Sequence, residues 1–351
     1  MNILADFHHS SLLHSLILLF ENRLGYSLYR PIGMSWFNEG FWAVYPSPAT
    51  AAQFLSLDQE YKPIDGTPPL NQIIKQEEGI YLCNDIGSLE PNKAITLEKF
   101  KEMKFDILLC SIPQHIPLFK KLIELYQPQA KLIYQIGNTW EIPNNVVRNV
   151  MASAVCAPPI QINYVQYHQE FDTSLYNYES HKGTKKIYSF INCLNVIDLY
   201  KDDWKLFLEL ERLLPEFEFR SFGGQTRDGA IAPQSEVARL TKEADLIFHV
   251  KQSGDGFSYG MFTAAACGRP IITRLSDYKG KLAEPLIEDG ISTINVDNRS
   301  PEQVAAIIKD ALGRPSTTLD LMSKMMYANF KKNVDFDLEA EKIKLFLNNL
   351  Q

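Results

Sequence analysis

Residues 245–273 limit the possible folds more than any other part of this chain. "DLIFHVK" (245–251) is a short apolar run of the kind that forms a buried strand. "SGDGFSYGMFTAAACGRPII" (253–272) then opens with glycines and a carboxylate and becomes a run of small residues. It ends on Gly268 and Pro270 before two isoleucines. Gly268 suits a helix C-terminal cap, and Pro270 blocks continuation. Ala264, Ala265 and Ala266 let such a helix lie close on a sheet. The reading is strand, glycine-rich turn, helix, strand. Two strands joined through a helix pair in parallel, so this segment predicts a parallel sheet covered by helices.

The same alternation runs through the chain. "MNILADF" is a strand, residues 12–23 a helix with Ser10 or Ser11 as its cap, and 23–32 a turn and strand. "GIYLCND" (79–85), "FDILLCSIP" (105–113) and "AKLIYQIGN" (130–138) read as further strands, with a helix over 114–126. The polar, tyrosine-rich stretch 165–186 reads as a hinge, after which the pattern restarts. Strands are predicted at 185–192, 217–223, 269–273 and 292–297, and helices at 201–215, 233–244, 280–290 and 300–313. The tail 317–350 reads as helical. At 351 residues the chain has room for two cores. The expected architecture is α/β, two doubly wound Rossmann-like domains facing a cleft. Residues 1–170, joined by a closing helix at about 330–351, form the first, and 171–329 the second.

The net charge of −7 disfavours a broad nucleic-acid footprint, which depends on lysine and arginine neutralising phosphates. No run of about 18 apolar residues appears, so no membrane span is expected, and "SLLHSLILLF" (11–20) lacks the flanks of a signal peptide. The five cysteines are scattered without C-x-x-C spacing. That pattern fits a reducing cytoplasm and offers no zinc site.

Ligands of doubly wound sheets bind at the carboxyl ends of the strands, where the 253–272 segment begins. A helix starting near Phe257–Gly260 presents free amides to a phosphate or diphosphate, and Gly254, Gly256 and Gly260 permit close approach. Lys251 is a candidate phosphate contact. At these residues the chain resembles GT-B glycosyltransferases of the group 1, or family 4, type. "GDGFSYGMFTAAACGRPII", followed by "EPLIEDGISTINVD" (284–297), is similar to their E-G-F-G-x-x-x-x-E-A-x-A-C-G-x-P donor signature and its E-x-x-x-D-G turn. The resemblance implies a donor site built from Lys251, Gly254, Asp255, Gly256, Phe257, Ser258, Tyr259, Gly260, Thr263 and Glu284. Asp255 stands where the family's sugar-contacting glutamate falls, and Thr263 where its ribose-holding glutamate falls. A threonine cannot make the bidentate charged contact. The arginine and lysine that the family often carries after the first strand of this domain are not matched, which leaves Lys201, Lys251 and Arg227 as candidate cations.

The implied reaction is transfer of a sugar from a nucleotide sugar, expected to be a UDP-sugar, to an acceptor hydroxyl. No tightly bound cofactor and no metal are expected. "KDDW" (201–204) is a helix start rather than a D-x-D metal motif. In the first domain His8, His9 and Asp6 lie at the end of the first strand and are the candidates for accepting the acceptor's proton. His115 holds a similar position, with a local role expected. Asn138, Thr139 and Trp140 are candidates for the acceptor pocket, Trp140 as a stacking face, and Trp36, Phe37, Phe41 and Trp42 form an aromatic cluster that could do the same. The acceptor stays open among a glycan, a small molecule and a modified DNA base, as in phage enzymes of this fold. Thr263 also leaves open a non-catalytic binding protein, and an epimerase of the same architecture is a further alternative.

Overall fold

The computed structural model describes residues 1–6, 10–31, 36, 39, 93–138, 147–156, 161–231, 233–313 and 317–351. The chain divides into two compact units. Unit 1 is Met1–Glu170 with Phe336–Gln351, and unit 2 is Phe171–Asp335.

Unit 1 carries a seven-stranded sheet. In chain order its strands are β1 (Asn2–Ala5), β2 (Ser27–Pro31), β3 (Ala94–Ile95), β4 (Ile107–Cys110), β5 (Lys131–Ile136), β6 (Asn149–Ala152) and β7 (Asn163–Gln166). The spatial order is β3-β2-β1-β4-β5-β6-β7, and every pair is parallel. All four residues of β4 are buried, as expected of a strand covered on both faces. One face packs Phe100, Phe119, Leu122 and Trp36; the other packs Leu12, Leu16 and Phe20. Helices α1 (Ser10–Leu16), α2 (Leu97–Glu102) and α3 (Ile116–Tyr126) supply most of these contacts. The predicted first helix is regular only through α1. Ile17–Arg23 continues as a π-helical turn, with the Leu24 amide bonded to the Leu19 carbonyl at 3.1 Å.

Unit 2 carries a five-stranded parallel sheet made of β8 (Lys186–Ser189), β9 (Glu218–Ser221), β10 (Leu246–Phe248), β11 (Ile271–Thr273) and β12 (Thr293–Asn295). Its order is β12-β11-β10-β8-β9. The helices are α4 (Lys201–Leu213), α5 (Gln234–Glu243), α6 (Tyr259–Ala266), α7 (Pro301–Gly313) and α8 (Thr317–Asn333). The α7 start is a reciprocal cap: Gln303 N donates to Ser300 Oγ at 3.3 Å, and Ser300 N donates to Gln303 Oε1 at 2.8 Å.

One expectation is corrected. Residues 280–290 form a short 3₁₀ turn at Glu284–Leu286 rather than a helix, because Gly280 and Gly290 both take left-handed φ near 72° and bracket Pro285. The tail is helical, as two helices. It breaks after Asn333, and α9 (Phe336–Asn348) returns to unit 1. There Ile343, Phe346 and Leu347 cover the sheet face already packed by α1. Polar ties fix α9: His168 N and Nδ1 lie 2.8 and 2.6 Å from the Glu339 carboxylate, and Arg23 pairs with Asp337. The predicted strand at 79–85 lies outside the described residues.

Candidate functional site

Each sheet has one point where the strand order reverses, and a crevice opens there between loops that depart in opposite directions. In unit 2 that point lies between β8 and β10. The chain leaving β10 runs through His249 and Lys251 into the turn that opens α6. The backbone of this turn is unusual. Ser253 and Ser258 both have φ of 66°, and Gly254 has φ of 56°. Left-handed backbone is uncommon for serine and marks a segment held by its surroundings. At Gly254 a Cβ would lie 2.7 Å from the Asp277 carbonyl and 2.9 Å from Lys281 Nζ, so only glycine fits.

Charged side chains hold the turn in place. Asp255 Oδ2 lies 3.3 Å from His249 Nε2, and Asp255 Oδ1 pairs with Lys251 Nζ. Burial pushes the Asp255 carboxyl up. The His249 hydrogen bond and the Lys251 charge outweigh it and hold the group well below the usual carboxylate range. Burial alone would weaken the charge on Lys251, but the adjacent Asp255 carboxylate raises its pKa above an ordinary lysine's. The Lys251 ammonium also sits 5.5 Å from the centre of the Tyr200 ring.

Beneath the turn, buried Asp203 accepts the Gln252 amide at 2.7 Å and pairs with Arg274. Asp277 accepts the Ser253 amide at 3.2 Å, and burial raises its pKa. Lys281 donates to the Ser253 carbonyl, and burial lowers its pKa. The result is a turn at the start of a helix, held by its surroundings, with the ionised carboxylate of Asp255 and two lysines, Lys251 and Lys281. Helix-start amides suit an anion. A carboxylate that can only accept suits the hydroxyls of a polyol.

The structure brings Lys251, Gly254, Asp255, Gly256, Phe257, Ser258, Tyr259 and Gly260 into this one turn and helix start. Phe257 faces inward, stacked on Phe262 at 4.6 Å. Thr263 is buried, and its hydroxyl donates to its own helix at Tyr259 O (3.0 Å) and Gly260 O (3.2 Å). Glu284 is exposed and closes its loop by accepting the Gly280 amide at 2.7 Å. Arg227 is engaged elsewhere: it bonds Glu211, Asp228 and the Phe219 carbonyl. Sequence reasoning missed His249, Asp203, Arg274 and Lys281.

In unit 1 the order reverses between β1 and β4, and Asp6 and His115 meet there. Asp6 Oδ2 lies 2.6 Å from His115 Nδ1 with both side chains buried, and Asp6 Oδ1 accepts the Ser111 amide. Asp6 therefore orients a histidine from the far side of the switch point. His8, His9, Thr139 and Trp140 lie outside the described residues, as do Phe37, Phe41 and Trp42. Asn138 is half-buried just past β5. Trp36 is a core residue: it is fully buried, and its Nε1 donates to the Ile95 carbonyl at 2.7 Å.

Among the described residues no group of three or more metal-ligating side chains is placed to hold an ion. Among them, too, no helix is long and apolar enough to cross a membrane.

No family model and no curated protein sequence matches the chain. Solved structures do. The Anabaena protein HepE, solved with UDP and glucose, superposes with a TM-score of 0.62 at 13% identity, covering 100% of both chains. A glycosyltransferase from Rickettsia africae gives 0.60 at 11% identity over 99% of this chain and 98% of that one. The N-terminal domain of Candida albicans trehalose-6-phosphate phosphatase gives 0.53 at 13%, over 99% and 96%. With two parallel, helix-flanked sheets in these orders, the chain has the GT-B glycosyltransferase fold, built from two Rossmann-like units.

Proposed function

We propose that this chain is a glycosyltransferase that takes a sugar from a nucleotide-sugar donor held in unit 2. The observation that carries the reading is the Asp255 turn, which fixes an ionised carboxylate at the opening of α6 on the switch point of a doubly wound sheet. The α6 amides would face the donor's diphosphate, and Asp255 would accept hydrogen bonds from sugar hydroxyls. HepE, of the same fold, was solved with UDP and glucose, which supports a UDP-sugar as the first donor to try.

In the reaction an acceptor oxygen attacks the anomeric carbon, and the bond to the diphosphate oxygen breaks. The diphosphate leaves with the electron pair, and its charge is the main one to stabilise. On the acceptor side, in unit 1, the Asp6–His115 couple would take the hydroxyl proton at His115. The net charge of −7 favours a glycan or small-molecule acceptor over DNA, and five scattered cysteines without C-x-x-C spacing suit a reducing cytoplasm.

The test is a panel of sugar nucleotides, read by thermal melting and by release of free nucleoside diphosphate. Stabilisation by one nucleotide family with slow release supports the reading. No shift with any member would sink it.

A further inference from the structure

We propose that Lys281 is the cation that takes the donor's diphosphate in unit 2. The assignment rests on the donor-site reading above and adds a residue that neither the sequence motif nor the fold singles out.

The other cations around the turn are already paired. Lys251 is neutralised by Asp255 and packs against Tyr200. Arg274 is neutralised by Asp203, with Asp277 Oδ2 3.8 Å away. Arg299, in the loop after β12, is held bidentately by Asp289. Among the described residues Lys281 has no carboxylate within ion-pairing distance, and its ammonium donates only to the Ser253 carbonyl. It is partly withdrawn from water beside the Tyr278 ring, 5.7 Å from its centre. Two of its donors are left over, and burial together with Lys251 disfavours its charge more than the nearby Asp277 and Asp255 carboxylates support it. An incoming anion relieves both conditions.

The location is right for one. The carbonyl that Lys281 grips belongs to Ser253, in the left-handed corner with Gly254, a short turn before α6 begins at Tyr259. Adding a Cβ at Gly254 would bring it to 2.9 Å from Lys281 Nζ. The missing side chain therefore leaves room for the ammonium against the backbone of the turn. Helix amides from one side and the lysine from the other would present positive charge to the same phosphate group. An anion would take over the two unused donors while the contact to Ser253 stays in place.

The experiment is titration calorimetry on wild type, Lys281→Gln and Lys281→Arg, with UDP, other nucleoside diphosphates, uridine and inorganic pyrophosphate. Wild type is expected to bind the diphosphate of the nucleotide it uses far more tightly than the matching nucleoside. Lys281→Gln should lose about 10- to 100-fold of that affinity, the range of a charge-assisted hydrogen bond, with nucleoside binding unchanged. Lys281→Arg should keep most of it. Equal nucleoside affinity in wild type and Lys281→Gln shows that the turn is intact, so a lost diphosphate contact is not read as misfolding. If wild type binds a diphosphate and Lys281→Gln binds it equally, this assignment fails and the donor site stands. If wild type binds no nucleoside diphosphate and no pyrophosphate, both fail together.

Discussion

The Asp203 carboxylate accepts the backbone amide of Gln252 at 2.7 Å, across 49 residues of chain. One oxygen thus braces the turn after β10 while the other pairs with Arg274 after β11. A buried acid at the start of α4 ties together two loops of the candidate site. Asp203→Ala removes both contacts and leaves the turn amide without its partner. Loss of about 2–3 kcal/mol of stability is expected in urea unfolding, as for a buried hydrogen-bonded charge. Donor affinity should fall with it. Asp202, one residue earlier and exposed, provides the control, and its alanine variant should unfold at the same urea concentration as wild type.

Asp255 gives a pH signature. Its carboxyl is held below the usual range by His249 and Lys251 against the opposing effect of burial. A depressed folded-state pKa contributes stability that is fully present above the unfolded value, about 3.9, and fades as pH falls through the folded one. Wild type should therefore exceed Asp255→Asn in stability at pH 7 by a margin that shrinks steadily below pH about 4. Chemical unfolding at pH 7, 4 and 3 measures it. A margin that grows toward acid would contradict the ion-pair assignment.

Glycine substitutions separate backbone strain from crowding. Gly290→Ala meets a φ of 72° but open space, so a cost of about 1 kcal/mol is expected. Gly254→Ala meets a φ of 56° and the Asp277 carbonyl at 2.7 Å. It should lower the melting temperature more, and it alone should weaken nucleotide binding. Equal effects of the two on nucleotide binding would show that the turn tolerates displacement.

The proposed acceptor-side role of Asp6 and His115 predicts a split in kinetics. His115→Gln and Asp6→Asn should each reduce kcat about 10²- to 10⁴-fold, the range of general-base catalysis, and leave donor affinity intact. Comparable losses in donor binding would assign the pair a purely structural role.

The parallel α/β sheets were legible because buried strands here are short unbroken apolar runs, such as 246–248 and 107–110, bounded by glycine, proline or charge. The α6 turn was legible because its residues are contiguous. Asp203 and Lys281 were not, since each acts on a backbone group 49 or 28 residues away and no local pattern encodes such a meeting. His115 was visible as a residue at a strand end, but its partner Asp6 lies 109 positions earlier. His249 was hidden inside an apolar strand that periodicity alone describes well. The 280–290 segment misled because its apolar spacing suits a helix, while two glycines in left-handed backbone and a proline override it.

The return of α9 to the first sheet sets an order of assembly. During synthesis residues 1–170 emerge first, yet the face that Ile343, Phe346 and Leu347 will cover stays bare until the whole of 171–335 has been made. The inserted unit has its full sequence in hand earlier than the unit that encloses it in the chain. Until α9 has been made, its contacts on the surface around Leu16 and Phe20 cannot form.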